Sequence, residues 1–315
     1  MSEPTPEPNS QARAFPKDSD CLQTILDLVR WAASRFDEYE LFLGHGTHSY
    51  LDEAAWLVLE TLRLPVDLDG QWWTARVTDS ERAAVVRNIR LRCETRKPTA
   101  YLLNRAWFAG LPFYVDERVL IPRSPFAELI GQRFEAWLPP DRVHSILDVG
   151  TGSGCMAIAL AQAFEEAQVT AVDIDPEALA VAARNVNDYQ LGEHVELVQS
   201  DLLEGLGEAR FDLIVSNPPY VASEEAEDLP AEFGHEPSHA LFAAERGLAL
   251  VERLLKQAPD HLTEHGWLFV EVGNSRHWLQ EQMPGLSVEW VTLEQGGEGI
   301  FAVDAASLRA WRDRN

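Results

Sequence analysis

Short apolar runs closed by polar or glycine-rich breaks recur through the second half of the chain. Runs near 145–149, 169–174, 195–199, 211–216, 266–272, 287–293 and 299–304 read as strands. Helical patterns fill the gaps between the first five, and another covers Arg276 to Gln282. Only Gln295-Gly296-Gly297-Glu298 separates the last two runs, which predicts an antiparallel hairpin. Strand and helix in alternation predict an α/β fold with a mostly parallel sheet and one reversed C-terminal strand. Open sheets of this kind bind ligands beyond the carboxyl ends of their strands. Asp148, Asp173, Asp201 and Asn217 all fall at such ends.

The first third has a different period. From Cys21 to Phe36, apolar residues at 22, 25, 26, 29, 33 and 36 share one helical face. A second helix is expected over Asp52 to Leu62. A third runs from Thr78 to about Thr95, where Thr78 and Glu81 have capping-box spacing. The region from Ala100 to Val115 alternates around Gly110-Leu111-Pro112 and resembles a β-hairpin. A helix from Phe126 to Trp137, ended by Leu138-Pro139-Pro140, opens the larger domain. The expected organisation is a disordered tail over 1–20, a helical domain over 21–98 and a hairpin with connector over 99–124. A catalytic domain over 125–315 completes it.

Composition narrows the class. An apolar content of 46% supplies a packed core. No apolar run reaches the roughly 18 residues of a membrane span, and the Pro/Ser/Glu-rich start lacks the apolar stretch of a signal peptide. Cys21, Cys93 and Cys155 have no metal-ligand spacing and read as reduced thiols, so a cytoplasmic location is expected. Gly44-His45-Gly46-Thr47-His48 lacks a carboxylate or thiol at ligand spacing and reads as a turn, so no metal is expected. Trp72, Trp73 and Trp107 are read as filling the helical domain or its seam. The net charge of −25, from 51 acidic and 26 basic residues, disfavours tight nucleic-acid binding. It suits either steering of a basic protein substrate or an acidic proteome as a whole.

Two motifs carry the chemistry. Ser145 to Gly154 reads as a buried strand running into Gly150-Thr151-Gly152-Ser153-Gly154, and Cys155 then opens a helix with free N–H groups. Asp173 closes the next strand, where a carboxylate accepts both hydroxyls of a ribose. Asp148 before the glycines would repel a pyrophosphate and attract a cation, which suits S-adenosylmethionine better than NAD. The second motif is Asn217-Pro218-Pro219-Tyr220, at the end of the apolar run Phe211 to Val215. Taken alone it could be a Pro-rich turn. As a site, the Asn217 side-chain oxygen and the Pro218 carbonyl would accept both N–H bonds of a flat –NH2 group, fixing a poor nucleophile for attack. Tyr220 would stack on the planar group, and the prolines stiffen the turn. Arg123 reads equally as positioning substrate or the glycine loop and as a surface arginine. The acidic segment Val221 to Ala243 reads as a lid or substrate loop; His235 and Glu236 suggest a base there, but an amide nitrogen becomes acidic once alkylated and needs none.

Together these features resemble the HemK/PrmC/PrmB-type protein-(glutamine) methyltransferases. The resemblance covers nearly the whole chain after the tail. It implies a class I methyltransferase Rossmann-like sheet of seven strands. Val119 to Ile130, Glu271-Val272-Gly273-Asn274-Ser275 and Gly296-Gly297-Glu298-Gly299 are similar to the branch acting on the third large-subunit ribosomal protein. The release-factor branch usually has Glu-His-Gly at the second of these. By the resemblance, Asp148, Gly150, Thr151, Gly152, Gly154, Asp173, Ile174 and Phe108 meet the cofactor, with Asp201 or Leu202 flanking the adenine. Asn217, Pro218, Pro219 and Tyr220 would hold the glutamine. Release-factor methylation, adenine-N6 methylation of nucleic acid and a non-catalytic assembly role are the alternatives.

Overall fold

The computed structural model describes residues 15, 18–222, 229–243, 247–294 and 296–314. They form two compact units, one of Met1–Leu43 with Thr47–Arg96, the other of Gly44–Gly46 with Lys97–Asn315.

The first unit packs α1 (Ile25–Glu38), α2 (Tyr50–Thr61) and α3 (Asp79–Thr95) around Leu28, Phe36, Leu57, Val85 and Ile89. Side chains set the helix starts. Thr24 and Asp27 form a capping box on α1, Ser49 accepts from the Asp52 N–H, and Thr78 with Glu81 caps α3 reciprocally. The α1 pattern read from Cys21 therefore becomes helical only after Thr24. Arg92 is fully buried yet satisfied, donating to Glu53 (2.9 Å), to the Phe42 carbonyl (2.9 Å) and to the Arg96 carbonyl (3.0 Å). Trp73 packs against this core, whereas Trp72 is exposed.

In the second unit the stretch expected to begin a hairpin starts instead as α4 (Thr99–Leu103). The hairpin is shorter, β1 (Ala106–Phe108) against β2 (Leu111–Phe113), and the Trp107 side chain is exposed on it beneath Arg105. The helix expected to reach Trp137 is only α5 (Phe126–Gly131), because Arg133 and Phe134 take positive φ and close the turn. Next come β3 (Ser145–Val149), α6 (Cys155–Ala163), β4 (Gln168–Asp173), α7 (Pro176–Asp188), β5 (Val195–Gln199) and β6 (Phe211–Ser216). A single 3₁₀ turn over Glu204–Leu206 replaces the helix expected between β5 and β6. Beyond β6 lie β7 (Val221–Ala222), α8 (Ser238–Leu241) and β8 (Phe242–Ala243). The unit ends with α9 (Ala249–His261), β9 (Leu262–Glu271), α10 (Arg276–Gln282), β10 (Glu289–Trp290), β11 (Ile300–Asp304) and α11 (Ala305–Arg312).

Seven strands make one sheet in the order β10-β11-β9-β6-β3-β4-β5. All neighbours are parallel except at β11, which runs antiparallel to both β9 and β10. The fold is thus the α/β class I methyltransferase type, with the reversed strand where the pattern put it. β3 is buried along most of its length because apolar clusters cover both faces of the sheet. One includes Phe113, Phe126, Ile158 and Phe269, the other Leu254, Leu255, Leu268 and Leu308. From β3 the chain moves outward through β4 and β5, then returns to β6 on the other side. The order reverses between β3 and β6, which opens a crevice at their carboxyl ends. No described helix is long and apolar enough to cross a membrane.

Candidate active site

At that reversal lies a cavity of about 270 Å3. Gly150 and Gly152 from the β3 turn, Asp173 and Ile174 from β4, and Asn217, Pro218 and Pro219 from β6 all line it. Asp201 and Leu202, just past the end of β5, line it too. The backbone ladder places them together. Asp148 pairs with Val215 and Val149 with Ser216 across the parallel strands, and the Ser216 hydroxyl donates to the Val149 carbonyl at 2.9 Å.

The glycine turn is held from below. Gly150, Gly152 and Gly154 have φ of +76°, +54° and +78°, values that strain a side chain. A Cβ on Gly154 would sit 3.2 Å from that of Ala182, so its absence also lets α7 approach. The Val172 carbonyl accepts from Gly150 and Thr151, both at 2.9 Å. Asp173 accepts from the N–H of Gly152 (2.9 Å) and of Asp175 (3.0 Å). Burial raises the Asp173 carboxyl above its ordinary range, against the pull of those donors.

Asp148 lies beneath this turn, not in the cavity wall. One carboxylate oxygen accepts from the Thr151 hydroxyl (2.6 Å) and the Ala157 N–H (3.1 Å). The other has no hydrogen-bond partner among the described residues, although the side chain is fully buried. Burial pushes the carboxyl up to about 7, against those two donors. A buried acceptor without a donor suits an ammonium group, and the glycine turn and the mixed apolar wall suit the rest of S-adenosylmethionine.

The Asn217 side chain makes no hydrogen bond among the described residues, so both of its polar atoms are available at the wall. Tyr220 departs from expectation. It does not line the cavity; its hydroxyl donates to Glu271 at 2.8 Å. Phe108 also departs, because the alternation of β1 turns Trp107 outward and Phe108 into the core. Thr151 and Gly154 support the turn from outside the wall.

Sequence reasoning missed several participants. Arg118, Ser200, His239 and Arg253 line the cavity. Arg253 donates to Asp201 at 2.8 Å, and His239 stands 3.1 Å from Asp175. Ser200 was within reach, since it directly follows a strand of the parallel sheet. Glu236 is not a base. It accepts two bonds from Arg123 and one from the Ile121 N–H (3.0 Å), with His45 at 3.5 Å. Burial would raise its pKa, but His45 and Arg123 hold it down at about 2. The pair ties the segment after β7 to the connector before α5. Positions 223–228 of the expected lid lie outside the described residues. No group of three or more His, Cys, Asp or Glu side chains able to hold a metal occurs among the described residues.

Comparison with known proteins adds an independent line. Residues 132–244 match the family model described as methyltransferase small domain. The chain is 42% identical over 293 residues to a ribosomal protein uL3 glutamine methyltransferase of Francisella tularensis, covering 93% of each chain. It is 45% identical over 292 residues to one of Xanthomonas campestris pv. campestris, covering 93% of this chain and 94% of that one. Among solved structures, a methyltransferase from Pyrococcus furiosus aligns with a TM-score of 0.44 at 22% identity, covering 62% of this chain and 89% of that one.

Proposed function

Because the chain belongs to the family of ribosomal protein uL3 glutamine methyltransferases, we propose that it transfers a methyl group to a glutamine side-chain nitrogen of uL3. The observation that carries this reading is the uncommitted Asn217 amide beside Pro218, at a strand end adjoining the Asp148 turn. Asn217 and Pro218 offer two acceptors to the two N–H bonds of a carboxamide. A delocalised amide lone pair is a weak nucleophile, and two fixed acceptors favour its pyramidal form. Pro219 limits the movement of the tip.

The glycine turn, Asp148, Asp173 and Ile174 would hold S-adenosylmethionine, which supplies an electrophilic methyl group when bound. Asp148, beneath the turn, would balance the charge of its ammonium, and Asp173 would accept from its ribose hydroxyls. Asp201 and Leu202 would flank the adenine, with Arg253 fixing the Asp201 carboxylate. No dedicated base is required, because an amide nitrogen becomes acidic once alkylated. The helical unit and the acidic segment after β7 read the protein around the glutamine, and the enzyme works in the cytoplasm.

The test supplies purified uL3, peptide-chain release factor and nucleic acid with labelled S-adenosylmethionine. We expect label on uL3 alone, and an Asn217→Ala enzyme slower by about 10²-fold or more with cofactor affinity retained. Label on release factor alone would overturn the branch. Label on nucleic acid alone would overturn the substrate class.

A further inference from the structure

We propose that Glu271, together with Ser124, is a positioning residue that acts through Tyr220 to set the Asn217-Pro218-Pro219 tip. The inference rests on the reading of that tip as the glutamine clamp. Among the described residues no hydrogen bond holds the Asn217 side chain, so its aim depends on how the backbone of the tip is anchored. The next anchored residue along the chain is Tyr220, and it is constrained from several sides.

Its hydroxyl donates to one oxygen of Glu271 at 2.8 Å, and the other oxygen accepts from the Ser124 hydroxyl at 2.5 Å. Its main-chain carbonyl accepts from the Ser275 hydroxyl at 3.0 Å. Its ring lies against Gly273, where a Cβ would stand 2.6 Å from a ring carbon, and Gly273 has a φ of +47°. Gly273 is pressed in turn by Gly299, whose added Cβ would come within 2.4 Å of the Gly273 carbonyl. The Val272 N–H donates to the Gly299 carbonyl at 2.7 Å. The end of β9, the turn after it, the start of β11 and the connector before α5 thus converge on one phenol.

Glu271 is almost wholly buried. A buried carboxylate is costly unless its oxygens are occupied. Here both oxygens take a hydroxyl, one from the connector and one from the tip. A hydroxyl committed to Glu271 is not offered to substrate, so Tyr220 contributes a fixed position and no bond of its own. Removing the acceptor frees the phenol to turn, and the tip loses its lateral restraint. Displacement of such a clamp by a fraction of an ångström costs rate while leaving cofactor contacts at the glycine turn untouched.

The experiment compares full-length wild type, Glu271→Ala, Glu271→Gln, Ser124→Ala, Tyr220→Phe and the Glu271→Ala/Tyr220→Phe double variant. Each is assayed on purified uL3, with S-adenosylhomocysteine affinity measured in parallel. Glu271→Ala and Tyr220→Phe should each lower kcat by about 10- to 100-fold with cofactor affinity unchanged. The double variant should be no slower than the slower single one. Glu271→Gln should recover most of the rate, since its carbonyl can accept from Tyr220 and its amide can donate to the Ser124 oxygen. Should Glu271→Ala fail to fold, Ser124→Ala takes its place, with a kcat loss of at least about threefold, not additive with Tyr220→Phe. Wild-type kcat in these variants, or independent losses that multiply, would overturn the inference while Asn217→Ala remained inactive. If Asn217→Ala itself kept full activity, the clamp reading would fail instead.

Discussion

At the scale of single residues, Asp148 holds the clearest pH signature. Its carboxyl rises from the ordinary 3.8 to about 7 in the folded protein. A raised carboxylate value means that the folded state binds its proton more tightly than the unfolded state does. The free protein therefore loses this contribution to stability as pH climbs from about 4 to about 7. A bound ammonium reverses the preference and expels the proton. Affinity for S-adenosylmethionine should then strengthen by up to about tenfold per pH unit below 7 and level off above it, by titration calorimetry. Asp148→Asn should bind more weakly with that dependence removed. The carboxylate's position before the glycines was legible in the sequence. Its place beneath the wall was not, because Thr151 and the start of α6 draw it down through contacts that depend on the turn's shape. The partners of Tyr220 and Arg123 were not legible for a related reason. Glu271 and Glu236 lie 51 and 113 positions away, and no periodicity connects them.

At the scale of elements, Asn185 on α7 joins the hairpin to the glycine turn. Its side chain donates to the carbonyls of Ser153 (2.8 Å) and Tyr114 (3.0 Å) and accepts from the Tyr114 N–H (2.8 Å). The residue is buried, so an alanine there leaves three backbone groups without partners. Asn185→Ala should lower the unfolding free energy by about 3 kcal/mol in denaturant titrations. Faster amide hydrogen exchange across 150–154 should accompany it. β3, β5 and β6 match the apolar runs residue for residue, and α3 matches its capping box. Edges were less legible. The run at 287–293 is strand only over Glu289–Trp290, at the sheet's edge, with the Val291 N–H still donating to Ile300. The link between β5 and β6 carries Gly205 and Gly207 and closes in a single 3₁₀ turn.

At the scale of the whole molecule, the charge of −25 bears on encounter and not on chemistry. If it draws in a basic substrate, kcat/KM on uL3 should fall steadily between about 0.05 M and about 0.5 M salt while kcat holds. A flat response would assign the acidity to the proteome instead. The reversal of strand order has a longer reach. The Asp148 turn and the Asn217 tip, on which the proposed reaction depends, leave β3 and β6, neighbours about 4.8 Å apart in one backbone ladder. The gap between reactants is therefore measured out by peptide groups, which substitution leaves in place. A change of macromolecular target at the periphery would leave that spacing as it is.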